Sequence, residues 1–317
     1  MNTRQVDLHE RRHTKCLKCG RQDRKEFSGA GICEKIVSED DQLSVRCVGD
    51  WAYDKIFHLY QYFGIFTNGM KNSWRGLNYV EICSGPGRCI FKETGEEVDG
   101  TAIAVLRHKS FVHLKSALFI DCDAAVVNAL NRRIAALGLG HKAVAEVGNY
   151  TDSLGIVNLM KRLSPRHLNL VFIDPTECDV PFETITAIIK GLKNVDLIIN
   201  LPSYMDAGRN LANAVTDPSY KRARGKYAGF LGSAEFFEDA GMRALALAGH
   251  HRDLRLAFRD FYQKQMAKLG HVYWATREIR GLYDLVFASS DPKGLEFWNK
   301  ACKYEANGQG SLDLWSS

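Results

Sequence analysis

The sequence lacks any apolar run close to the ~18 residues that a membrane-spanning helix needs. Its first residues carry charges with no apolar segment behind them, so we expect no signal peptide. Only 7 of the 317 residues are proline, and the composition is far from that of a collagenous or disordered chain. We therefore expect a soluble, cytoplasmic protein without a membrane partner. Its length suits one large domain with additions, or two smaller domains.

A strong excess of one charge is also missing, because 42 Lys and Arg face 37 Asp and Glu. The net charge of +5 is unevenly distributed. Residues 218–280 hold twelve basic and six acidic side chains, and residues 1–30 hold eight basic and four acidic ones. The remainder is acidic on balance. This pattern indicates a catalytic body flanked by basic contact surfaces, which permits an anionic partner without requiring one.

The nine cysteines are concentrated near the N-terminus, where four lie within the first 47 residues. Disulfides are not expected without an export signal, so these cysteines indicate metal ligands or free thiols. The spacing of His13, Cys16 and Cys19 is that of a zinc knuckle, in which two intervening residues let both thiolates reach one ion. We expect a structural zinc on Cys16, Cys19 and Cys33, with either His13 or Cys47 as fourth ligand. The alternative for Cys47 is simple burial as a small apolar side chain.

From residue 51 onward, short apolar runs alternate with helical stretches. The predicted strands are 79–83, 116–121, 144–147, 168–174 and 195–201, and the predicted helices between them are 101–108, 124–137, 152–163 and 182–192. Runs that are apolar on both faces are typical of parallel strands covered by helices. Residues 51–74 show helical spacing as well. Residues 203–233 are predicted to be irregular, 234–269 helical, and 271–278 with 283–289 an antiparallel hairpin.

These elements predict a doubly wound, mostly parallel α/β sheet of seven strands. The predicted organisation is a Cys-bearing N-terminal segment at 1–50, an α/β domain at 51–301 and a C-terminal tail at 302–317. The domain carries a basic insertion at about 203–233.

Polar residues follow four successive predicted strands at one edge of this sheet. The motif E-I-C-S-G-P-G-R at 81–88 ends the first strand, and its glycines allow a tight turn and a close backbone approach to a ligand. Position 90 is Ile, so the full G-x-G-x-x-G dinucleotide motif is absent, and no P-loop motif occurs. The candidate cofactor-binding residues are Glu81, Gly85, Gly87, Asp121, Asn149, Tyr150 and Asp174.

Each of these residues also has a structural explanation as a turn or a helix cap, and Asp123 is interpreted as a cap. Four in succession at the carboxyl edge predict a binding crevice. Asp121 can accept both ribose hydroxyls of an adenosine group. Asn149 can bond the adenine edge and Tyr150 can stack on it, whereas Glu81 can meet a cationic or amino group.

The order E-x-C-S-G-P-G-R, F-I-D-x-D, G-N-Y and F-I-D-P-T resembles class I S-adenosylmethionine-dependent methyltransferases over about residues 50–290. More closely, the sequence resembles the three-Cys-motif partner (TcmP) family. The matching stretches are 51–55, 85–88, 117–121, 172–175, 180–184, 196–200 and Arg209-Asn210. The resemblance implies a methyltransferase-like fold, S-adenosylmethionine bound by the residues named above, and a three-Cys-motif protein as partner. It implies no particular substrate.

Asp174 is the expected catalytic residue, because it can orient or deprotonate a methyl acceptor. The sequence D-P-T-E at 174–177 lacks the second proline and the aromatic residue of base N-methyltransferases, which argues against base methylation. The Gly-Pro-Gly turn also resembles that of ribose 2′-O-methyltransferases, which use a Lys-Asp-Lys-Glu set. Lys55 and Asp174 fit two of its positions, but Asn200 stands where the second lysine belongs. Lys55 is therefore interpreted as a residue on a helix surface.

The basic stretch 220–227 interleaves Lys and Arg with Tyr, a composition that suits contacts with nucleic acid. A protein or peptide, or no polymer at all, are the alternatives. Two functions follow from the sequence. The first is methyl transfer from S-adenosylmethionine to an unknown acceptor, with nucleic acid as one candidate. The second is a non-catalytic scaffold with a methyltransferase-like body that binds a three-Cys-motif protein.

Overall fold

The computed structural model describes residues 15–20, 32–33 and 35–306. Within these residues, seven strands form the main sheet. They are β2 (Leu77–Ile82), β5 (Ser116–Asp121), β6 (Ala143–Val147), β7 (Leu168–Ile173), β8 (Val195–Leu201), β9 (Tyr273–Ile279) and β10 (Tyr283–Ser289). A smaller sheet contains β1 (Arg46–Val48), β3 (Arg88–Phe91) and β4 (Glu97–Asp99).

The strand order in the main sheet is β6-β5-β2-β7-β8-β10-β9. The first five strands are parallel, and β10 runs antiparallel to both β8 and β9. This arrangement confirms the predicted doubly wound, mostly parallel seven-stranded sheet. The chain winds outward in both directions from β2 and β7, so the switch point of the topology lies between these two central strands. Ligands of open α/β sheets bind at such a point, beyond the carboxyl ends of the strands.

All six residues of β2 are buried, because helices cover both faces of the sheet. Its side chains alternate between two cores, with Val80 and Ile82 on one face and Tyr79 on the other. The first face packs against α4 (Ser153–Met160), α5 (Phe182–Leu192), α6 (Gly208–Thr216), α7 (Lys221–Leu231), α8 (Glu235–Glu238), α9 (Ala240–Leu247) and α10 (His251–Lys268). The second packs against α1 (Ala52–Met70), α2 (Thr101–Arg107), α3 (Ala124–Ala136) and α11 (Pro292–Ala301).

The segment 203–233 is helical, so the prediction of an irregular segment was wrong. It contains a π-helical turn at Ser203–Ala207, then α6, a 3₁₀ turn at Pro218–Tyr220, and α7. Its glycines obscured the helical spacing of Tyr227, Phe230 and Leu231, which α7 buries in the first core. The helix ends where Gly232 adopts a positive φ of 71°, a common helix terminus.

The N-terminal segment pairs directly with the body of the protein. Strand β1 runs parallel to β3, and β3 pairs antiparallel with β4. This β3–β4 hairpin separates the glycine turn from α2, and the sequence predicted no strands in this interval. The hairpin is short and only partly buried, so its apolar pattern is weak.

Arg133 of α3 connects the N-terminal segment to the glycine turn through hydrogen bonds. Its guanidinium binds both oxygens of Asp41 at 2.7 and 2.8 Å. The same group donates to the backbone oxygens of Ser44 at 2.9 Å and Pro86 at 2.6 Å. The N-terminal segment therefore lies against the glycine turn, beside the predicted crevice. In the part of the chain that the structure describes, no helix has both the length and the apolar character of a transmembrane span.

Candidate functional site

The four parallel strand ends that the sequence singled out lie side by side. The backbone N–H of Ser84 donates to the carbonyl of Ile120 at 3.1 Å, and that of Asp174 donates to the carbonyl of Ile82 at 3.1 Å. The N–H of Gly148 donates to the carbonyl of Asp121 at 2.9 Å. The ends of β2, β5, β6 and β7 are therefore hydrogen-bonded neighbours, as the predicted crevice requires.

The turn after β2 has a positive φ at every second residue: 64° at Cys83, 65° at Gly85 and 91° at Gly87. A cysteine at a positive φ is unusual, because its Cβ crowds the backbone there. The two glycines were predicted as turn residues, whereas Cys83 was not, because nothing in the sequence at a cysteine indicates a positive φ.

The two glycines of the turn have different reasons to be glycine. A Cβ on Gly87 would lie 2.8 Å from Ile103 Cγ1 and 2.9 Å from Leu130 Cδ1. The lack of a side chain at Gly87 therefore allows α2 and α3 to pack closely against the turn. Among the described residues, a Cβ on Gly85 would meet only Arg46, at 3.7 and 3.8 Å. Gly85 therefore presents an open backbone surface where a ligand can approach.

Asp121 lies at the tip of β5 and supports the turn. Its Oδ2 accepts the backbone N–H of Gly85 at 2.9 Å, and its Oδ1 accepts the N–H of Asp123 at 3.3 Å. Asp123 caps α3, since its Oδ1 accepts from the N–H groups of Ala125 and Val126. This confirms the interpretation of Asp123 as a helix cap. Asp121 is 4% exposed, and the proposed contact with a ribose stays a prediction.

Glu81 lies behind the turn and is fully buried. Its carboxylate accepts hydrogen bonds from the hydroxyls of Thr101 at 2.5 Å and Tyr79 at 2.7 Å. Burial raises the pKa of Glu81 to about 8, although both hydroxyls work in the opposite direction. The structure thus places Glu81 where it fixes the start of α2 against β2. The direct contact with an amino group stays a prediction.

Asn149 and Tyr150 follow β6 at the rim of the crevice. Asn149 is exposed, and its Oδ1 accepts from the N–H of Thr151 at 2.9 Å and from its hydroxyl at 2.8 Å. The hydroxyl of Tyr150 donates to Asp179 at 2.7 Å. Burial, followed by this contact with Asp179, raises the pKa of Tyr150. The suggested roles at the adenine ring stay predictions.

The clearest difference from the sequence analysis concerns Lys55. It lies in α1 and forms an ion pair with Asp174, with Nζ 2.6 Å from Oδ2. The two side chains are only 11% and 10% exposed, so the interpretation of Lys55 as a surface residue was wrong. Asn200 of β8 donates through Nδ2 to Oδ1 of Asp174 at 2.8 Å. Lys55 precedes Leu59 by four residues and therefore falls on the buried side of α1, which helical spacing could have shown.

The basic stretch 220–227 is partly used inside the protein. Lys226 binds Asp206 at 2.8 Å and Glu177 at 3.0 Å, and Arg224 donates to the carbonyl of Phe237. Lys221 and Arg222 are exposed on the same helix. A nucleic acid partner for this helix stays a prediction.

A cluster of cysteine sulfurs lies beside β1. The Sγ atom of Cys47 is 3.8 Å from that of Cys16 and 3.9 Å from that of Cys19, and the three lie within 4.8 Å of one another. Cys33 lies in the same buried cluster, next to Cys47. Tetrahedral zinc with bonds of about 2.3 Å holds its thiolates about 3.8 Å apart, so the sulfurs of Cys16, Cys19 and Cys47 fit the ion.

The structure thereby favours a role for Cys47 as a metal ligand beside Cys16 and Cys19 over the alternative that Cys47 is simply buried. Burial, reinforced by the neighbouring thiols, raises the pKa of Cys47. A bound cation would reverse that effect, because metal ligation favours the thiolate. His13, the other candidate for the fourth ligand, lies outside the described residues, as does the side chain of Arg209.

The strand order, the glycine turn after the first strand of the main sheet and the antiparallel end of that sheet define a class I methyltransferase-like fold. No family model matches the chain, and no curated protein matches it.

The solved structures that are similar to this chain include an O-methyltransferase from Bacillus cereus in complex with SAH (S-adenosylhomocysteine). It is 13% identical with a TM-score of 0.39, and the match covers 77% of this chain and 82% of that one. The SAH-bound methyltransferase PaMTH1 from Podospora anserina is 14% identical with a TM-score of 0.36, and the match covers 71% of this chain and 76% of that one. An O-methyltransferase family protein from Burkholderia thailandensis is 13% identical with a TM-score of 0.36, and the match covers 71% of this chain and 56% of that one. The fold assignment rests on the strand order rather than on these scores.

Proposed function

We propose that the protein binds S-adenosylmethionine at the carboxyl edge of its sheet and transfers the methyl group to an acceptor. The observation that carries this proposal is the hydrogen bond from the Gly85 N–H to Asp121. This bond joins the open turn after β2 to the carboxylate at the tip of β5, next to the switch point of the sheet. An adenosine group fits such a site, since a terminal carboxylate can accept its ribose hydroxyls.

The residues of the crevice fit the cofactor. Gly85 offers an open backbone surface, and Asp121 and Asn149 stand at successive strand ends. When bound, S-adenosylmethionine supplies an electrophilic methyl group on a sulfonium. Glu81 would act indirectly, by holding α2 and the turn in place through Thr101.

Asp174 is the residue that we assign to the acceptor. It begins the segment after β7, and Lys55 and Asn200 fix its carboxylate from two sides. Each carboxylate oxygen keeps a further lone pair, so Asp174 can accept the proton of an acceptor hydroxyl. The Lys55 ammonium can then stabilise the negative charge that develops on the acceptor oxygen. This arrangement suits a hydroxyl acceptor better than a nucleobase.

The first experiment asks whether the protein carries the cofactor. Protein purified without added ligand is denatured, and the extract is examined by mass spectrometry for S-adenosylmethionine and SAH. We expect one of the two in the wild type and in Asp174→Asn. Absence of both, together with no binding at millimolar ligand, contradicts the proposal.

The second experiment tests the assignment of Asp174. Conversion of S-adenosylmethionine to SAH is measured with total RNA, and separately with a protein extract, as acceptor source. We expect Asp174→Asn to lose turnover while it binds SAH like the wild type. Thr186→Val, a change on α5, is the matched control. Equal turnover in Asp174→Asn would remove this residue from catalysis.

We propose two further features. The spacing and the clustering of the cysteines support a structural zinc on Cys16, Cys19 and Cys33 with Cys47 as fourth ligand. The resemblance to the TcmP family implies that a three-Cys-motif protein binds this chain. Asn200, in place of a second lysine, favours a scaffold over a catalyst at this position. The buried pair of Lys55 and Asp174 favours catalysis, since a scaffold has no evident need for it.

Co-expression and pull-down with a three-Cys-motif protein separates the two functions. Co-purification without turnover supports the scaffold, and turnover without co-purification removes it.

A further inference from the structure

Arg46 links the N-terminal segment to the glycine turn. It lies in β1, directly before Cys47. A Cβ built on Gly85 would lie 3.7 Å from Nη1 and 3.8 Å from Cζ of Arg46. The guanidinium therefore lies beside the space next to Gly85 that a ligand would approach.

The geometry of β1 explains this position. Side chains of adjacent residues in a strand point to opposite faces. Cys47 points into the cysteine cluster, so Arg46 points away from it, toward the crevice. The pairing of Arg46 with Cys89 and of Cys47 with Ile90 on β3 fixes the register. A metal on the cysteine cluster would hold Arg46 in place from one residue away.

The positive charge of Arg46 affects the pKa of a cysteine at each of two strand ends. Burial raises the pKa of Cys83 after β2, and the Arg46 charge opposes this effect. Burial likewise raises the pKa of Cys122 after β5, and the Arg46 charge again opposes it. The guanidinium is thus close to both strands that flank the expected binding position.

Asp121 and Asp174 make the crevice rich in carboxylates, so a ligand that carries an anionic group needs a cation beside that group. The Arg46 guanidinium supplies such a cation next to Gly85. S-adenosylmethionine carries both an ammonium and a carboxylate on its methionine group. A planar guanidinium binds a carboxylate through two parallel hydrogen bonds.

We propose that Arg46 binds the methionine carboxylate of the cofactor, and that the N-terminal segment thereby completes the cofactor site. This inference rests on the proposed function. It assigns to the cysteine-bearing segment a role in ligand recognition and not only in stability.

The experiment compares two ligands by calorimetry. SAH carries the carboxylate, whereas 5′-methylthioadenosine keeps the adenosine and the sulfur but lacks the amino-acid group. Arg46→Met should lose about tenfold or more in affinity for SAH, since a charge-assisted pair is removed, and should bind methylthioadenosine within about twofold of the wild type. Arg162→Met is the matched control, because Arg162 is a half-exposed arginine paired with Glu146 of β6. It should leave both affinities unchanged.

Three outcomes separate the claims. Unchanged SAH affinity in Arg46→Met overturns the inference, and so do equal losses for both ligands, which would show a general disturbance of the turn. If the wild type binds neither ligand, the proposed function fails instead. Should Arg46→Met not fold, Arg46→Lys is measured in its place. It keeps the charge but not the planar geometry, so a selective loss for SAH supports the inference and an unchanged affinity ratio overturns it.

Discussion

At the scale of single residues, burial changes the protonation of Glu81. Its pKa of about 8 in the folded protein exceeds the ordinary value of 4.5. The folded protein therefore holds a proton that the unfolded chain releases between these pH values. The contribution of Glu81 to the free energy of unfolding is full below pH 4.5 and is lost as the pH rises through 8.

Glu81→Gln should remove this pH dependence, since the amide is neutral and can still bond to Thr101 and Tyr79. We expect the variant to exceed the wild type in free energy of unfolding by more than about 1 kcal/mol at pH 9, and by much less at pH 5. Urea unfolding at both pH values measures the difference. Glu183→Gln, at an exposed glutamate, is the control and should show no such divergence. Parallel pH profiles of Glu81→Gln and wild type would refute this account of Glu81.

Lys55 and Asp174 form a buried ion pair, in which each charge depends on the other. Lys55→Met leaves the Asp174 carboxylate buried without its partner, and should lower the free energy of unfolding by about 3 kcal/mol or more. Adding Asp174→Asn in the same chain should restore most of this loss, because the uncompensated charge is gone. Thermal or urea unfolding of the two single variants and the double variant tests the coupling. Additive effects of the two changes would show that the pair does not act as a unit.

At the scale of elements, the glycine turn contains two positions that should respond differently to alanine. Gly87→Ala adds a Cβ that collides with Ile103 and Leu130, on top of the cost of a positive φ. We expect it to cost about 2–4 kcal/mol of stability. Gly85→Ala carries the φ cost alone, about 1–2 kcal/mol, and should weaken SAH binding more than it weakens folding. Equal losses of stability at both positions would contradict the assignment of Gly87 to packing and Gly85 to ligand approach.

The N-terminal segment is the element that a metal should stabilise. We expect about one zinc per chain in the wild type and none in Cys47→Ser, because the latter removes the sulfur that lies 3.8 Å from that of Cys16 and 3.9 Å from that of Cys19. Elemental analysis of the purified proteins measures the content. Cys302→Ser, at a half-buried cysteine of the C-terminal region, is the control and should keep the metal. A wild type free of zinc after purification without chelators would remove the metal from the account.

At the scale of the whole molecule, the central strands and the order of their polar ends could be predicted from the sequence. Strands buried on both faces read as continuous apolar runs, and the predicted bounds of β5, β8 and β10 match the structure. The β3–β4 hairpin could not be predicted, because its four and three residues are too short to show alternation. Helical spacing could have placed Lys55 on the buried side of α1. Its ion pair with Asp174 could not be predicted in this way, because the two residues lie 119 positions apart and only the fold brings them together.

The central claim is that a cofactor with an adenosine group binds beside Asp121 at the carboxyl edge of the sheet. Its most direct test is calorimetry of SAH binding to the wild type, Asp121→Ala and Asp123→Ala. We expect Asp121→Ala to lose at least about tenfold in affinity, because both the ribose contact and the support of the Gly85 N–H are removed. Asp123→Ala should lose about 1 kcal/mol of stability as a helix cap and bind SAH nearly as the wild type does. Normal binding by Asp121→Ala would contradict the account.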